Sequence, residues 1–337
     1  MNKISEKRRV FITGGAGLIG REMTRKLLDV GHEVVCFDLG EQLASHWTFL
    51  SQLPEKGQIS FEQGTLLDRV ALQRHMTGCN VVIHLAAMLG VRRTEENRLG
   101  CLEVNVTGTD NVLNAAVFNR VSHIVIASSS EVYGEPSHNP ITESAETKGK
   151  TVYSVSKMAA EELARGYTQL YPDLAHTVVR FFNTYGEGQI VQFVLARFVH
   201  AVLKGQNPVV FGDGQQTRGY CHVDDTTDGL MTILDNPVAR NKVYNLGNSK
   251  EVFTLFDLAQ KVIDTLAPDT GLEVEVLGTF NGTDRLPERE IHHRYCDSSL
   301  AKKELGFEAS ITIEDGIRRI AAQKKVHMDW PDRYGSK

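Results

Sequence analysis

Tyr153 and Lys157 stand four residues apart in "YSVSK", and upstream the chain strings three hydroxyls and a carboxylate together as Ser128-Ser129-Ser130-Glu131 in "SSSEVYGEP". On a helix, residues four apart share one face, a turn apart. A free tyrosine titrates at about 10 and is a poor base at neutral pH. An ammonium beside it stabilises the phenolate and moves it toward the working range. A hydroxyl aimed at the same substrate alcohol would complete a device for taking a proton from carbon-bound OH. An isolated Tyr-x-x-x-Lys also fits an ordinary amphipathic helix, so the surrounding elements have to decide.

Those elements alternate. The apolar runs "RRVFIT", "HEVVCFD", "CNVVIHLAA" and "HIVIASSS" are Val/Ile-rich and too short for helices. Between them, 18–30 and 102–119 carry helical spacing. Strands apolar on both faces, separated by helices, predict a parallel sheet covered on both sides. Right-handed crossovers make it doubly wound α/β, with ligands past the carboxyl ends of the strands, where the polar strings fall. After about residue 183 the pattern loosens into helices near 190–204, 224–235, 254–266 and 314–325. We expect a main domain over 1–182, with a return to its sheet near 220–247 around "CHV" and "KVYNLG". A smaller α/β substrate-binding lobe is expected over 183–337.

"VFITGGAGLIG" sets Gly14, Gly17 and Gly20 directly after a strand and at the opening of a helix. The first glycine permits the turn, the second a close approach to a pyrophosphate, and the third close helix–strand packing. The amino-terminal amides of that helix, around Leu18 and Ile19, offer donors and a positive dipole end. Asp38 ends the next strand 18 residues past Gly20, where its carboxylate can accept the ribose hydroxyls. No Arg follows it, which favours NAD over NADP. Asp68 reads equally as an adenine contact and as a helix cap.

In order along the chain, TGGAGLIG (13–20), HLAA (84–87), NVTGT (105–109), SSSEVYG (128–134), YSVSK (153–157) and RFFNTYG (180–186) resemble the extended short-chain dehydrogenases. More narrowly they are similar to the NAD-dependent nucleotide-sugar epimerase/dehydratase family, from about residue 9 to about 235. A looser similarity runs to "DSSLAKKELGF". The resemblance implies a Rossmann fold, NAD as cofactor and C4 oxidation of a sugar. It makes Ser129, Tyr153, Lys157 and Glu131 the catalytic residues. Leu85 and Ala86 join the cofactor contacts, and Asn105 becomes an organiser of the sheet edge. It places Ser130, Asn183, Phe211, Arg218 and Tyr220 at the substrate, with Arg218 as the diphosphate clamp. A second Arg before "CDSS" is expected at Arg289, with Arg285 as the alternative.

The reactions of this family diverge after C4 oxidation. Dehydratases resembling it carry Asp-Glu after the catalytic Thr; here the Asp position is Ser130, a far weaker acid, which counts against loss of water. Glu131 keeps base chemistry at C5 open, and Ser-Glu is similar to UDP-glucuronate decarboxylases, for whose carboxylate Arg92 and Arg93 are candidates. A C4 epimerase needs the fewest special groups and is the leading expectation, on a UDP-sugar. A non-catalytic NAD sensor and an NADP-dependent carbonyl reductase are the rivals from other classes.

The bulk composition agrees with these readings. The chain has 337 residues, 41% hydrophobic and 23% charged, with formal net charge −5. Scattered Lys and Arg give nucleic-acid binding little support. Five cysteines without a CxxC pair suggest a reducing compartment and no metal site. The charged amino terminus passes straight into a strand, and no apolar run approaches the ~18 residues that span a bilayer. The expected setting is cytoplasmic, without a membrane partner. The resemblance adds a homodimer through the helices near 96–119 and 153–170.

Overall fold

The computed structural model describes residues 7–54, 56–279 and 290–326. Its centre is a seven-stranded parallel sheet. The strands are β1 (Arg9–Thr13), β2 (Glu33–Asp38), β3 (Gln58–Gln63), β4 (Val81–His84), β5 (His123–Ser129), β6 (Ala175–Phe181) and β7 (Lys242–Leu246). Their order is β7-β6-β5-β4-β1-β2-β3, so the winding reverses between β1 and β4. A doubly wound sheet opens its ligand crevice at that reversal, past the carboxyl ends of the strands.

Period-two alternation builds the two faces. Val10 and Ile12 of β1, with Val34, Ile83 and Val125, enter one core, which α1 (Leu18–Asp29) covers through Met23, Leu27 and Leu28. Phe11 enters the other, with Val35, Phe37, Val82, Ile124 and Ile126. Helices α2 (Gly108–Phe118) and α3 (Val152–Leu170) cover that face through Val112, Leu113, Ala160 and Ala164. Gly20 has to be small: a Cβ there would collide with the Gly14 carbonyl oxygen.

One expected helix is interrupted. Over 98–118 a short α-helical turn (Arg98–Leu102) passes into a π-helical turn (Glu103–Thr107) before α2. The π turn carries buried Asn105, whose amide oxygen accepts from Met88 N–H (2.7 Å) and whose Nδ2 donates to Met88 O and Ser156 Oγ (both 3.0 Å). Such turns frequently serve functional sites. Here it aims an amide that pins the loop after β4 to α3.

The later chain has its own core. Helices α4 (Val194–Leu203), α6 (Leu255–Leu266) and α7 (Ile313–Val326) enclose Phe198, Val199, Leu258, Val262, Ile317 and Ile320. Between α4 and α6, α5 (Val223–Asp235) packs against α1 on the main sheet. Cys221–His222 pairs with Thr184–Tyr185 in a separate two-stranded ladder, and Lys242–Leu246 is the segment that joins the main sheet. Thr217–Gly219 lies between antiparallel Val252–Thr254 and parallel His293–Arg294. Among the described residues no helix is long and apolar enough to cross a membrane.

Candidate active site

Four side chains meet at the carboxyl end of β5. Thr151 caps α3 in a reciprocal box with Ser154, which fixes the first turn and thereby Tyr153. One turn on, buried Lys157 donates from Nζ to the Ala127 carbonyl of β5 at 2.8 Å. Its ammonium lies 5.8 Å from the centroid of the Tyr153 ring. Two residues after Ala127, the Ser129 hydroxyl lies beside the Tyr153 hydroxyl, near enough to act on its proton affinity. Ser129 Oγ also accepts the Glu131 N–H at 3.2 Å, so its one proton points elsewhere. Thr151 Oγ1 donates to Glu131 Oε2 at 3.4 Å.

The electrostatics of the pair differ from the sequence expectation in their division of labour. Burial raises the Tyr153 phenol and the Glu131 charge raises it further, while the Ser129 hydroxyl and the Arg294 guanidinium act in the opposite sense. Lys157 is itself lowered to about 8, by burial. Close by, His84 bridges the hydroxyls of Thr13 (2.7 Å) and Thr109 (3.0 Å), and burial lowers it to about 3, so it is a neutral strut.

The residues expected at the cofactor lie along the carboxyl ends of β1 to β4, at and beside the reversal point. A Cβ on Gly14 would lie 2.8 Å from Ala86 N, so β1's turn runs against the backbone of Leu85 and Ala86. Gly17 is the N-cap of α1 without a side-chain cap, and no acid occupies the first turn, at Leu18 and Ile19. A helix start in that state suits an anion. Asp38 accepts N–H bonds from Ala16 (3.0 Å) and Leu39 (2.8 Å), which set its carboxylate at the end of β2. These features fit a dinucleotide: a tight cradle for the pyrophosphate and an oriented acceptor for ribose. Asp68 acts as a helix cap, accepting Ala71 N–H at 2.9 Å.

The residues expected at the substrate are spread over the end of β5 and the second lobe. Asn183 has φ +35°, and its carbonyl accepts Cys221 N–H. Tyr220 is buried edge-on to Tyr185, and the Arg197 guanidinium stacks 5.0 Å over Phe211. Ser130 is buried at the start of the short 3-10 turn. Arg218, expected to clamp a diphosphate, is buried and bonded to Glu290 Oε1 (2.9 Å) and to the carbonyls of Thr217, Ile291 and His292. Its guanidinium fastens the strand that delivers Arg294. Arg285 and Arg289 lie outside the described residues. Arg93 is exposed, and of Arg92 only the backbone is described.

Arg294 is the residue that sequence reasoning missed. Its Nη1 lies 3.8 Å from Glu131 Oε1, its side chain is 12% exposed, and its Nε is buried with no hydrogen-bond partner among the described residues. The signal was its place in "RYCDSS", three residues before the Asp of a stretch already singled out, whereas attention went further upstream.

A fold of this order with a Ser–Tyr–Lys site defines an extended short-chain dehydrogenase, and comparison with known proteins gives the family. Residues 10–247 match the NAD dependent epimerase/dehydratase family, and the chain belongs to it. NAD is therefore its cofactor, in a site whose residues fit it. The chain is 31% identical, over 93% of its length and 96% of the relative's, to a UDP-N-acetyl-alpha-D-glucosaminuronate decarboxylase of Bacillus cytotoxicus. It is 29% identical, over 92% and 96%, to a putative UDP-glucose 4-epimerase of Methanocaldococcus jannaschii. Among solved structures it is similar to DesIV, a dTDP-glucose 4,6-dehydratase of Streptomyces venezuelae with NAD bound. That likeness has a TM-score of 0.83 and 27% identity, covering 96% of this chain and 98% of that one.

The Lys157 surroundings give a direct check. In the ligand-free protein, the Lys157 side-chain NMR signal should titrate at about 8; a midpoint at the ordinary lysine value of about 10.4 refutes the buried geometry.

Proposed function

We propose that the chain is an NAD-dependent nucleotide-sugar 4-epimerase, oxidising C4 of the sugar and reducing it again on the other face. The observation that carries this reading is the meeting of the Ser129 and Tyr153 hydroxyls, with Lys157 held beneath them by the Ala127 carbonyl, at the open end of β5. Ser129 would hold the 4-hydroxyl and Tyr153 would take its proton. Bound NAD supplies a hydride acceptor, and its pyridinium charge favours the phenolate. Lys157 would meet the ribose while keeping its bond to Ala127 O. Asn183 and Phe211 remain the proposed contacts for the nucleoside, and Arg218 the proposed organiser of the diphosphate side.

A second reading is favoured by Arg294 beside Glu131. A guanidinium in that place suits a sugar with a carboxylate on C5. Once C4 is a ketone, that carboxylate belongs to a β-keto acid. It can leave as CO2, its bonding electrons passing to an enolate that takes a proton at C5. Glu131 stands where such a proton could be handled. Loss of water at C6 lacks its acid, because Ser130 is a hydroxyl. The two readings separate by product.

Tyr153→Phe should lower turnover at least about a hundredfold while NAD affinity, followed by fluorescence, stays within about threefold. A variant that keeps its turnover removes Tyr153 from the chemistry. In a panel of UDP-, dTDP-, GDP- and CDP-sugars, a new stereoisomer of unchanged mass supports epimerisation. Loss of about 44 Da selects decarboxylation, and loss of about 18 Da overturns both.

Arg294→Gln separates the substrates. Its KM for UDP-glucuronate should rise about tenfold or more while KM for UDP-glucose is spared, since one charge-assisted pair is worth roughly 1.5–3 kcal/mol. Equal effects on both sugars exclude the carboxylate contact.

A homodimer through the 98–118 and α3 faces would cover Leu99 (81% exposed) and Val155 (49%). Sedimentation should show a dimer that Leu99→Glu converts to monomer; a monomeric wild type removes the assembly.

A further inference from the structure

Beneath the catalytic groups lies an ion pair that the C4 chemistry does not itself use. Glu161, one turn past Lys157 on α3, and Arg180 of β6 are 3% and 5% exposed. The contact is bidentate: Arg180 Nε to Glu161 Oε1 at 2.9 Å and Nη2 to Oε2 at 2.7 Å. Burying two charges costs about as much as their attraction returns, and an apolar pair of similar volume commonly serves stability as well. Stability alone therefore gives this pair little reason to be there.

Its other hydrogen bonds point to a reason. Ser128 Oγ, adjacent to Ser129, donates to Glu161 Oε1 at 2.6 Å. Arg180 Nη1 donates to the Tyr133 hydroxyl (2.9 Å) and the Glu143 carbonyl (3.2 Å), with the guanidinium 4.8 Å from the Tyr133 ring centroid. Tyr133 donates to Asn245 Oδ1 at 2.7 Å, and Asn245 Nδ2 to the Ile141 carbonyl at 2.9 Å. Ile141 in turn exchanges backbone bonds with Tyr295 (2.9 Å) and Asp297 (2.8 Å), directly after Arg294. One connected, buried network thus reaches the Ser129 strand end, the Tyr153–Lys157 helix and the Arg294 segment.

We propose that Glu161 and Arg180 are positioning residues for the reaction, holding these three segments in register so that Ser129, Tyr153 and Arg294 face one sugar. This rests on the C4 oxidation–reduction proposed above. The Glu161 carboxylate has a second effect: after burial has lowered Lys157, Cys101 and Glu161 are the groups that raise it. The remaining neighbours of that ammonium are the Ala127 carbonyl of β5, neutral His84 of β4 and the Tyr153 ring.

The test uses Glu161→Gln, which keeps the size and removes the charge, and the double variant Glu161→Gln/Arg180→Gln, which leaves no buried charge unpaired. Two quantities are read: the Lys157 NMR titration in ligand-free protein, and kcat and KM on the nucleotide sugar that the wild type turns over. Folding is followed by circular dichroism. We expect at least the double variant to fold, the Lys157 midpoint to fall by roughly half a unit or more, and kcat to drop about ten- to hundredfold with KM within about threefold. A folded variant with wild-type midpoint or wild-type kcat overturns the proposal, as does unfolding of both variants. A wild type inactive on every nucleotide sugar defeats the C4 reading instead. The Lys157 titration still judges the network then, and an unmoved midpoint overturns it.

Discussion

The Lys157 ammonium and the Ala127 carbonyl make the contact on which the site depends. It joins the first turns of α3 to the last residues of β5, both drawn from the main sheet and its covering layer. An ammonium withdrawn from water needs compensation, and a strand carbonyl just before the end of the ladder supplies it. The candidate hydroxyls follow close by on each element: Ser129 two residues along the strand, Tyr153 one turn back along the helix. The capping box at Thr151 fixes where the helix begins, and Asn105 ties the neighbouring loop to Ser156 on the same helix. The backbone segments that carry the Ser129 and Tyr153 hydroxyls are thereby fixed, the kind of preorganisation that near-attack geometry requires.

Among the described residues, Arg294 of the second lobe meets this rigid edge with its charge. Arg294 arrives on a two-residue strand registered against Arg218, and Arg218 is held by Glu290 and three carbonyls. The two arginines differ in their surroundings: Arg218 is paired with Glu290, and Arg294 faces Glu131. The phenol feels the opposed charges of Glu131 and Arg294, so a change at either residue alters the proton affinity of Tyr153.

Much of this was legible in the sequence because local rules carried it. Short Val/Ile runs, three glycines after the first and helical spacing between them fix a parallel doubly wound sheet, and the Ser–Tyr–Lys pattern lies at its open end. Contacts between distant segments were not legible. Nothing local distinguishes Arg294 from the arginines before it. Nothing local shows that Arg218 would pair with Glu290, or that Glu161 and Arg180 would find each other across α3 and β6. The π-helical turn was invisible because its cause is Asn105 reaching Met88, a tertiary bond. Asp68 showed the limit of a two-way reading: its carboxylate closes the helix start at Ala71.

The edge strand β7 has a consequence for biosynthesis. It carries Tyr244 and Leu246 into the first core, yet it is made some sixty residues after its partner β6. While the ribosome is still producing the smaller lobe, the nascent sheet has six strands and an open flank beside Val178 and Val179. An uncovered edge of that kind is a template for pairing with other chains. The two lobes are therefore completed together, and a fragment ending near residue 182 would keep its dinucleotide cradle but present a sticky border to the cell.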